Sequence, residues 1–279
     1  MSLKHHKIAA NEAGLELVQY LSGRLDISRR QAKALLDRRN VLVNQRPVWM
    51  ARHRLQVGDR VTVETKRPDA EALEARHLLF DRDGYLIVNK PPGITTNGES
   101  SLETALRTYL DARSIQAVHR LDKDTSGCVL FSRTGSVHEK LIDLFREKAI
   151  TKTYRAIVHG TVKRSDMEIC RPIDSRPAFT RVRLLCAGTL ASHLSVQIVT
   201  GRTHQIRKHL ASIQHSVIGD REYGAVSEFA RYGMPPRQML HAHALRFECP
   251  ITGQRVKVEA PLPRDFKECL AALLPRSRS

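Results

Sequence analysis

The chain has no apolar stretch approaching the ~18 residues that would cross a bilayer, and no apolar run of signal-peptide length near its start. A soluble, cytoplasmic protein without a membrane partner is therefore expected. Cysteine is sparse. The five residues, at 128, 170, 186, 249 and 269, form no Cys-x-x-Cys pair, which fits neither a zinc ribbon nor a disulfide framework and predicts reduced thiols. Histidine is more plentiful, but His204, His209 and His215 stand five and six positions apart and so do not share one helical face. No metal is expected. Aromatic residues make up only 5% of the chain, too few to suggest a base-stacking platform of the single-strand-binding kind. Acidic residues are short relative to basic ones, 29 against 46, giving a net charge of +17. That excess favours a polyanionic partner, RNA or DNA ahead of an acidic membrane.

At 279 residues, with 41% hydrophobic content, the chain can form one large domain or two. Residues 1–66 hold thirteen Lys and Arg against six Asp and Glu, a balance of +7. Leu15, Leu17, Val18 and Leu21 recur at helical spacing. Ser28-Arg29-Arg30-Gln31 is a capping box that predicts the start of a second helix. In that helix Ala32, Leu35 and Leu36 form the apolar stripe, with Arg29, Arg30 and Lys33 elsewhere on the circumference. Asn40 is a suitable left-handed terminator. A strand over Val41–Val43, a turn over Asn44–Pro47, and a strand–turn–strand over Leu55–Val63 follow. Residues 67–77, polar and carrying a proline, predict a linker. A second, larger domain is expected over 78–274, and residues 275–279 read as a basic tail.

The densest chemistry lies mid-chain, in Val118-His119-Arg120-Leu121-Asp122-Lys123-Asp124-Thr125-Ser126-Gly127. Apolar residues flank it on both sides, predicting strand, loop and strand. A connection needs only turn residues. Two carboxylates, two cations, a histidine and two hydroxyls in nine positions suggest a reactive site, although a charged surface turn would look alike locally. Upstream, Asp83-Gly84 precedes a strand over Tyr85–Val88 and the segment Asn89-Lys90-Pro91-Pro92-Gly93. Downstream, Val137, Leu141, Leu144, Phe145 and Ala149 predict a helix ending near Ile150. Lys152–Val158 reads as a strand with Tyr154, Ala156 and Val158 on one face. A long strand, Ser192–Thr200, leads through Gly201-Arg202 to a helix capped by Thr203 and running through Ile213. Ile206, Leu210 and Ile213 are its buried stripe, and Arg207 falls at the stripe's margin, able to reach a cleft or to snorkel to solvent.

His119-Arg120-Leu121-Asp122-Lys123-Asp124-Thr125-Ser126-Gly127 resembles the signature loop of the RluA-type pseudouridine synthases, which isomerise uridine in RNA. Thr200-Gly201-Arg202-Thr203-His204-Gln205-Ile206-Arg207, Gly219-Asp220 with Tyr223-Gly224, and Leu240-His241-Ala242 before Pro261-Leu262-Pro263 match in order. The resemblance spans about residues 78–270. It implies an α+β fold: a mixed, largely antiparallel catalytic sheet of the pseudouridine synthase type. Before it, residues 1–66 resemble a small S4-like α/β RNA-binding module whose Arg29, Arg30 and Lys33 would meet phosphates. Two features of that module depart from the pattern, Glu16-Leu17-Val18 and Asn44-Gln45. Thr95-Thr96-Asn97-Gly98 departs from the catalytic domain's.

By the same resemblance, Asp122 is the essential aspartate, Arg207 the arginine that orients it, and Tyr154 the active-site tyrosine. From the residues alone, Tyr154 reads as core. Substrate contacts are implied for Arg120, His119, Lys90, Arg202 and Leu240. Arg120 would fill the gap left by a flipped nucleotide or touch phosphate, Lys90 would meet substrate or stand exposed on a rigid turn, and Leu240 would pack at the site or in the core. Asp124 and Thr125 are expected to hold the loop by capping backbone N–H groups. The implied reaction is cofactor-free. It breaks N1–C1′, turns the uracil and rejoins it through C5, with the aspartate either attacking covalently or assisting at the sugar. The expected partner is ribosomal RNA, met by a monomer. Two other readings compete: an idle RNA-binding or ribosome-assembly protein, and a hydrolase using Asp122 and Asp124 as acid and base.

Overall fold

The computed structural model describes residues 3–37, 41–48, 50–63, 77–224, 235 and 237–274. Most of the expected linker and the whole basic tail lie outside them. The chain divides into two compact units, Met1–Asp69 and Ala70–Ser279.

The first unit contains β1 (Leu3–Lys7), α1 (Leu17–Leu25), α2 (Arg29–Asp37), β2 (Val41–Val43), β3 (Arg46–Pro47) and β4 (Arg60–Val63). The strands make one antiparallel sheet in the order β1-β4-β2-β3. Leu17 and Leu21 of α1 and Ala32 and Leu36 of α2 bury against Val41, Val43, Val61 and Val63. The capping box forms as read. The Ser28 hydroxyl accepts from the Gln31 N–H at 3.2 Å, and the Gln31 side-chain oxygen accepts from the Ser28 N–H at 2.9 Å. Arg29, Arg30 and Lys33 are exposed. Asn40 lies outside the described residues. The expected turn narrows to Asn44 and Gln45, at φ 50° and 64°, and Arg46–Pro47 continue as strand. Gln45 adopts the left-handed backbone that a two-residue hairpin asks of glycine. The first arm of the strand–turn–strand expected over Leu55–Val63 does not form. There the Gln56 N–H is taken by the Asp59 carboxylate at 2.8 Å, and the Gly58 N–H by the Ile8 carbonyl at 2.9 Å, so the segment folds as a turn.

The second unit is a ten-stranded sheet flanked by helices. Its elements are β5 (Leu78–Arg82), β6 (Tyr85–Lys90), α3 (Leu102–Tyr109), β7 (Gln116–Ala117), β8 (Ser126–Ser132), α4 (Gly135–Arg146), β9 (Thr151–His159), β10 (Asp166–Ile169), β11 (Thr180–Ala187), β12 (Ala191–Ile198), α5 (Gln205–Ser212), β13 (Leu240–Glu248), β14 (Arg255–Glu259) and α6 (Arg264–Leu273). Strand order is β10-β11-β12-β9-β13-β8-β6-β5, with β14 beside β13 and β7 beside β8. Among the described strands only β13 and β8 run parallel. This is the expected α+β architecture with a mixed, largely antiparallel sheet.

Both sheet faces are covered. Along β6, Leu86 and Val88 enter one core with α3, while Tyr85 and Ile87 enter the other with Leu141 of α4. Strands buried on both faces are apolar at every position rather than alternately, which explains the unbroken Tyr85–Val88 and Cys128–Phe131 runs. A third cluster packs Phe266 and Cys269 of α6 against Ile157 and Met239. Ser126 and Gly127, read as the end of the signature loop, already belong to β8. Gly127 sits at φ 113°, and a Cβ there would stand 2.2 Å from the Ala242 carbonyl of β13. Only glycine allows the two strands to pair there.

Two helix boundaries differ from expectation. α4 ends at Arg146 rather than near Ile150, because Lys148 turns left-handed at φ 59° and the Ala149 N–H reaches back to the Leu144 carbonyl at 2.9 Å. This is a Schellman-type stop with a lysine in the glycine's place. α5 is capped not by Thr203 but by His204, itself left-handed at φ 55°. The Gln205 side-chain oxygen takes the Arg202 N–H at 3.0 Å and the Thr200 hydroxyl at 2.7 Å, so the turn is ordered without the Thr203 hydroxyl. No helix among the described residues is long and apolar enough to cross a membrane.

Candidate active site

The loop between β7 and β8 is held nearly residue by residue. His119 turns Nε2 inward to accept the Leu130 N–H at 3.1 Å, its ring 5.0 Å from that of Phe145. The buried Thr96 hydroxyl accepts the Leu121 N–H at 3.0 Å and donates to the Leu121 carbonyl at 3.2 Å. The Asp122 carbonyl receives the Thr125 N–H at 3.0 Å. The Lys123 carbonyl accepts from Lys90 Nζ at 2.8 Å and the Asp124 carbonyl from Arg237 Nη1 at 3.1 Å. The Thr125 hydroxyl accepts from the Gln238 amide at 3.1 Å. A loop with this many fixed points presents its remaining side chains in defined directions.

Lys90 corrects its expected role. Its side chain is fully buried, and Nζ donates to the carbonyls of Pro91, Ile94 and Lys123 at 3.0, 2.8 and 2.8 Å. All three N–H bonds of the ammonium are used, leaving none for a phosphate or for substrate. Burial pushes its pKa down to about 7, against the pull of Asp124. Three carbonyl acceptors nonetheless favour the protonated form, which alone supplies three donors. Asp124 differs too. It is its backbone carbonyl that is held, while its carboxylate lines a cavity.

Asp122 projects from this loop with its side chain about one quarter exposed, and Arg207 Nη1 donates to its Oδ2 at 3.2 Å. Arg207 is itself buried on the first turns of α5. Its Nε and Nη2 form a paired contact with Asp220 at 2.6 and 2.8 Å, and Nη2 also reaches Glu222 at 3.2 Å. Asp220 has no exposed side-chain surface. Burial alone would lower the Arg207 pKa, but the hydrogen bonds and charge of Asp220, with Asp122 behind them, raise it. For Asp220 burial pushes upward and Arg207 overrides it, leaving the carboxyl below its ordinary range. The guanidinium is thus a permanent cation, aimed by one carboxylate at another.

Two cavities meet at this pair. One, of about 380 Å³, is lined by Tyr154, Leu240, Lys152 and Ile206 as well as Asp122 and Arg207. Tyr154 projects into it from β9, and burial, with Asp122 nearby, pushes its phenol upward. Leu240 opens β13 opposite Ala156. His119 and Arg202 also border this cavity, with Arg202 Nε donating to the Pro177 carbonyl at 3.2 Å. The other cavity, of about 460 Å³, is bordered by Thr95, Asn97, Asp124 and Gln238. Arg120 is exposed and borders both. Asp122, Tyr154, Arg207, Arg120, His119, Arg202 and Leu240 are therefore brought together, and Lys90 lies beneath them.

Several residues that complete the site had no role assigned from the sequence, although Asp220 lies in a matching block and Thr96 in the departing Thr95–Gly98 stretch. Thr96 and Gln238 hold the loop, Asp220 aims Arg207, and buried Arg237 is tied to Asp265 of α6 at 2.6 and 2.9 Å. Among the described residues no group of acidic, histidine and cysteine side chains could hold a metal ion.

Three imidazoles make the fold acid-sensitive. Burial pushes His119 to about 3 and His193 and His241 to about 4. Between those values and the unfolded value near 6.5 the unfolded chain binds protons that the native chain excludes, so stability falls as pH falls through that window, by at most about 1.4 kcal/mol per pH unit for each ring. Urea midpoints taken from pH 7 to pH 4 should decline steadily. Substituting His241 by Gln should flatten the decline, and an unaltered slope would remove that ring from the account.

A family model described as RNA pseudouridylate synthase matches residues 84–212. The uncharacterized RNA pseudouridine synthase YlyB of Bacillus subtilis is 33% identical, covering 89% of this chain and 90% of its own. Ribosomal large subunit pseudouridine synthase C of Pasteurella multocida is 31% identical, covering 100% and 96%. Among solved structures, human RNA pseudouridylate synthase domain containing 1 superposes with a TM-score of 0.60 at 26% identity, covering 74% of this chain and 93% of the other.

Proposed function

This chain belongs to the RNA pseudouridine synthase family and isomerises uridine in RNA to pseudouridine; from that premise we propose that Asp122 is its catalytic carboxylate and large-subunit ribosomal RNA its substrate. The observation that carries the assignment is the Asp122–Arg207–Asp220 chain, in which a buried guanidinium anchored on Asp220 presents the partly exposed Asp122 carboxylate to a cavity.

The target uridine must first leave its stack, at a cost of a few kcal/mol. Arg120, exposed at the mouth, fills the vacated space, and the uracil enters the cavity beside Tyr154 and Leu240, with Arg202 and His119 at its border. Asp122 acts at the sugar, by attack on C1′ or by removal of a sugar proton. Arg207 holds it oriented through either route. The N1–C1′ bond breaks, the uracil turns, and C5 bonds to C1′. The C5 proton then leaves and N1 regains one, so no cofactor is consumed. The raised Tyr154 pKa sets that side chain against the ring as a neutral phenol rather than a standing phenolate.

The first unit serves as an S4-like RNA-binding module. Supporting this, α2 presents Arg29, Arg30 and Lys33 to solvent while Ala32 and Leu36 are buried in the core. Such contacts supply affinity without sequence choice. Lys33→Ala should weaken RNA binding and reduce the log–log salt slope by about 0.9 for a duplex contact or about 0.7 for a single-stranded one. An unchanged slope would take Lys33 out of the interface.

The preference for ribosomal RNA rests on the relative named for the large ribosomal subunit and on the basic first unit. The enzyme then works as a cytoplasmic monomer. The test is tritium release from RNA labelled at uridine C5, drawn from cells lacking this protein and separated into ribosomal and transfer RNA. Release from the large-subunit fraction is expected. Release confined to transfer RNA would overturn the substrate assignment and leave the reaction standing.

A further inference from the structure

We propose that the cavity bordered by Thr95 and Asn97 is a second nucleotide subsite, holding the base next to the target uridine in the RNA. The inference rests on the reading above. It concerns which RNA is accepted, not how the bond is made.

Position is the first argument. This cavity shares Asp122, Arg120 and Arg207 with the one that holds Tyr154. A ribose whose C1′ faces Asp122 is bonded through its phosphates to a neighbour on either side, so one neighbour is directed into the adjoining space. Its volume of about 460 Å³ falls within the ~300–1,000 Å³ range of small-ligand sites.

The chemistry of the wall is the second argument. Thr95, Thr96 and Asn97 alternate. Thr96 is buried and grips Leu121, while Thr95 and Asn97 are exposed. The backbone between them is fixed from behind, since the Leu102 and Glu103 N–H groups at the start of α3 donate to the Thr95 and Thr96 carbonyls at 2.9 and 3.0 Å. Among the described residues neither the Thr95 hydroxyl nor the Asn97 amide has a hydrogen-bond partner. A carboxamide carries one donor group and one acceptor side by side, the pair that reads a base edge. Arg120 and Lys123, both exposed on the same wall, supply cations for the intervening phosphate. A rigid support, an unused amide and adjacent cations are what an unstacked base requires.

Position in the sequence is the third. Thr95–Gly98 is the stretch where the catalytic domain departs from the pattern it otherwise resembles. Asp122, Tyr154 and Arg207 do not depart. A departure at this wall bears on which RNA is accepted and leaves the reacting residues as they are.

The test uses an RNA hairpin that the intact wild-type chain binds, with the base at each position flanking the target removed in turn to leave an abasic ribose. Turnover by tritium release and RNA affinity are measured for wild type, Asn97→Ala and Thr95→Val. One flanking position should cost the wild type roughly 5- to 150-fold when its base is removed, the span of one specific base contact. Asn97→Ala should lose a similar factor on the intact hairpin and little more on that abasic one. If the substitution and the missing base act as independent factors at every position, the subsite is overturned. Absent tritium release with the coupling in affinity intact would count against the reaction, not against the subsite.

Discussion

Asp122→Asn should lower tritium release by about 10,000-fold or more, as expected when a reacting carboxylate is replaced by a neutral isostere. The fold should hardly notice. Arg207 keeps its paired contact with Asp220, the Asp122 side chain is about one quarter exposed, and its loop is fixed through backbone atoms rather than through its carboxylate. A stability change within about 1 kcal/mol is expected, as for a partly exposed ion pair. The combination is diagnostic. A variant with wild-type urea midpoint and wild-type affinity for RNA, but no turnover, isolates the carboxylate. Turnover retained within tenfold would remove Asp122 from the centre of the reaction.

Arg207→Leu has the second large effect, on both stability and activity. It leaves Asp220, whose side chain has no solvent exposure, with the Glu222 and Tyr223 N–H groups but no countercharge from Arg207, and breaking a buried pair from one side costs about 3–5 kcal/mol. The pH dependence follows from the direction of the Asp220 shift. In the wild type its carboxyl is depressed, so its contribution is present above the unfolded value and lost as pH falls through the folded one. Without the guanidinium, burial raises the same carboxyl, and the variant's deficit should be greatest at neutral pH and shrink as pH approaches 4. Urea unfolding at pH 7 and pH 4.5 checks this. Arg207→Leu combined with Asp220→Leu removes both charges and should recover most of the stability. It should remain inactive, because Asp122 still lacks its orienting cation. Activity restored in the double variant would sink that role for Arg207.

What could be read from the sequence divides by range. The capping box at Ser28, the period-two face of Tyr154, Ala156 and Val158, and the strand–loop–strand around Asp122 are local patterns, and all three appear in the structure. Asp122 and Arg207 are 85 positions apart, and no periodicity joins them. The resemblance paired them, and the 3.2 Å contact agrees. Residues that act only through distant partners carried no local signal. Thr96 is one threonine among several, and Arg237 one of many basic residues until Asp265 and the Asp124 carbonyl are brought to it. Lys90 misled for a related reason. Beside two prolines and a glycine a lysine looks exposed, and only the fold reveals three carbonyls converging on its ammonium. Thr203 failed as a cap because the Gln205 N–H, which its hydroxyl would have taken, is bonded instead to the Arg202 carbonyl at 3.1 Å.

Arg237 and Asp265 place a constraint on when the enzyme can begin to work. The Asp124 carbonyl meets the Arg237 guanidinium, which the Gln238 and Leu240 carbonyls also bind and which pairs with a carboxylate of α6 more than a hundred residues beyond the loop. A nascent chain that has emerged past Asp122, Tyr154 and Arg207 already carries the side chains proposed to do the chemistry. Its loop still lacks the anchored Arg237 tether until α6 leaves the ribosome and docks. Synthesis order thus separates possession of the chemistry from its assembly, and a partly made chain holds RNA-reactive groups that are not yet set in place.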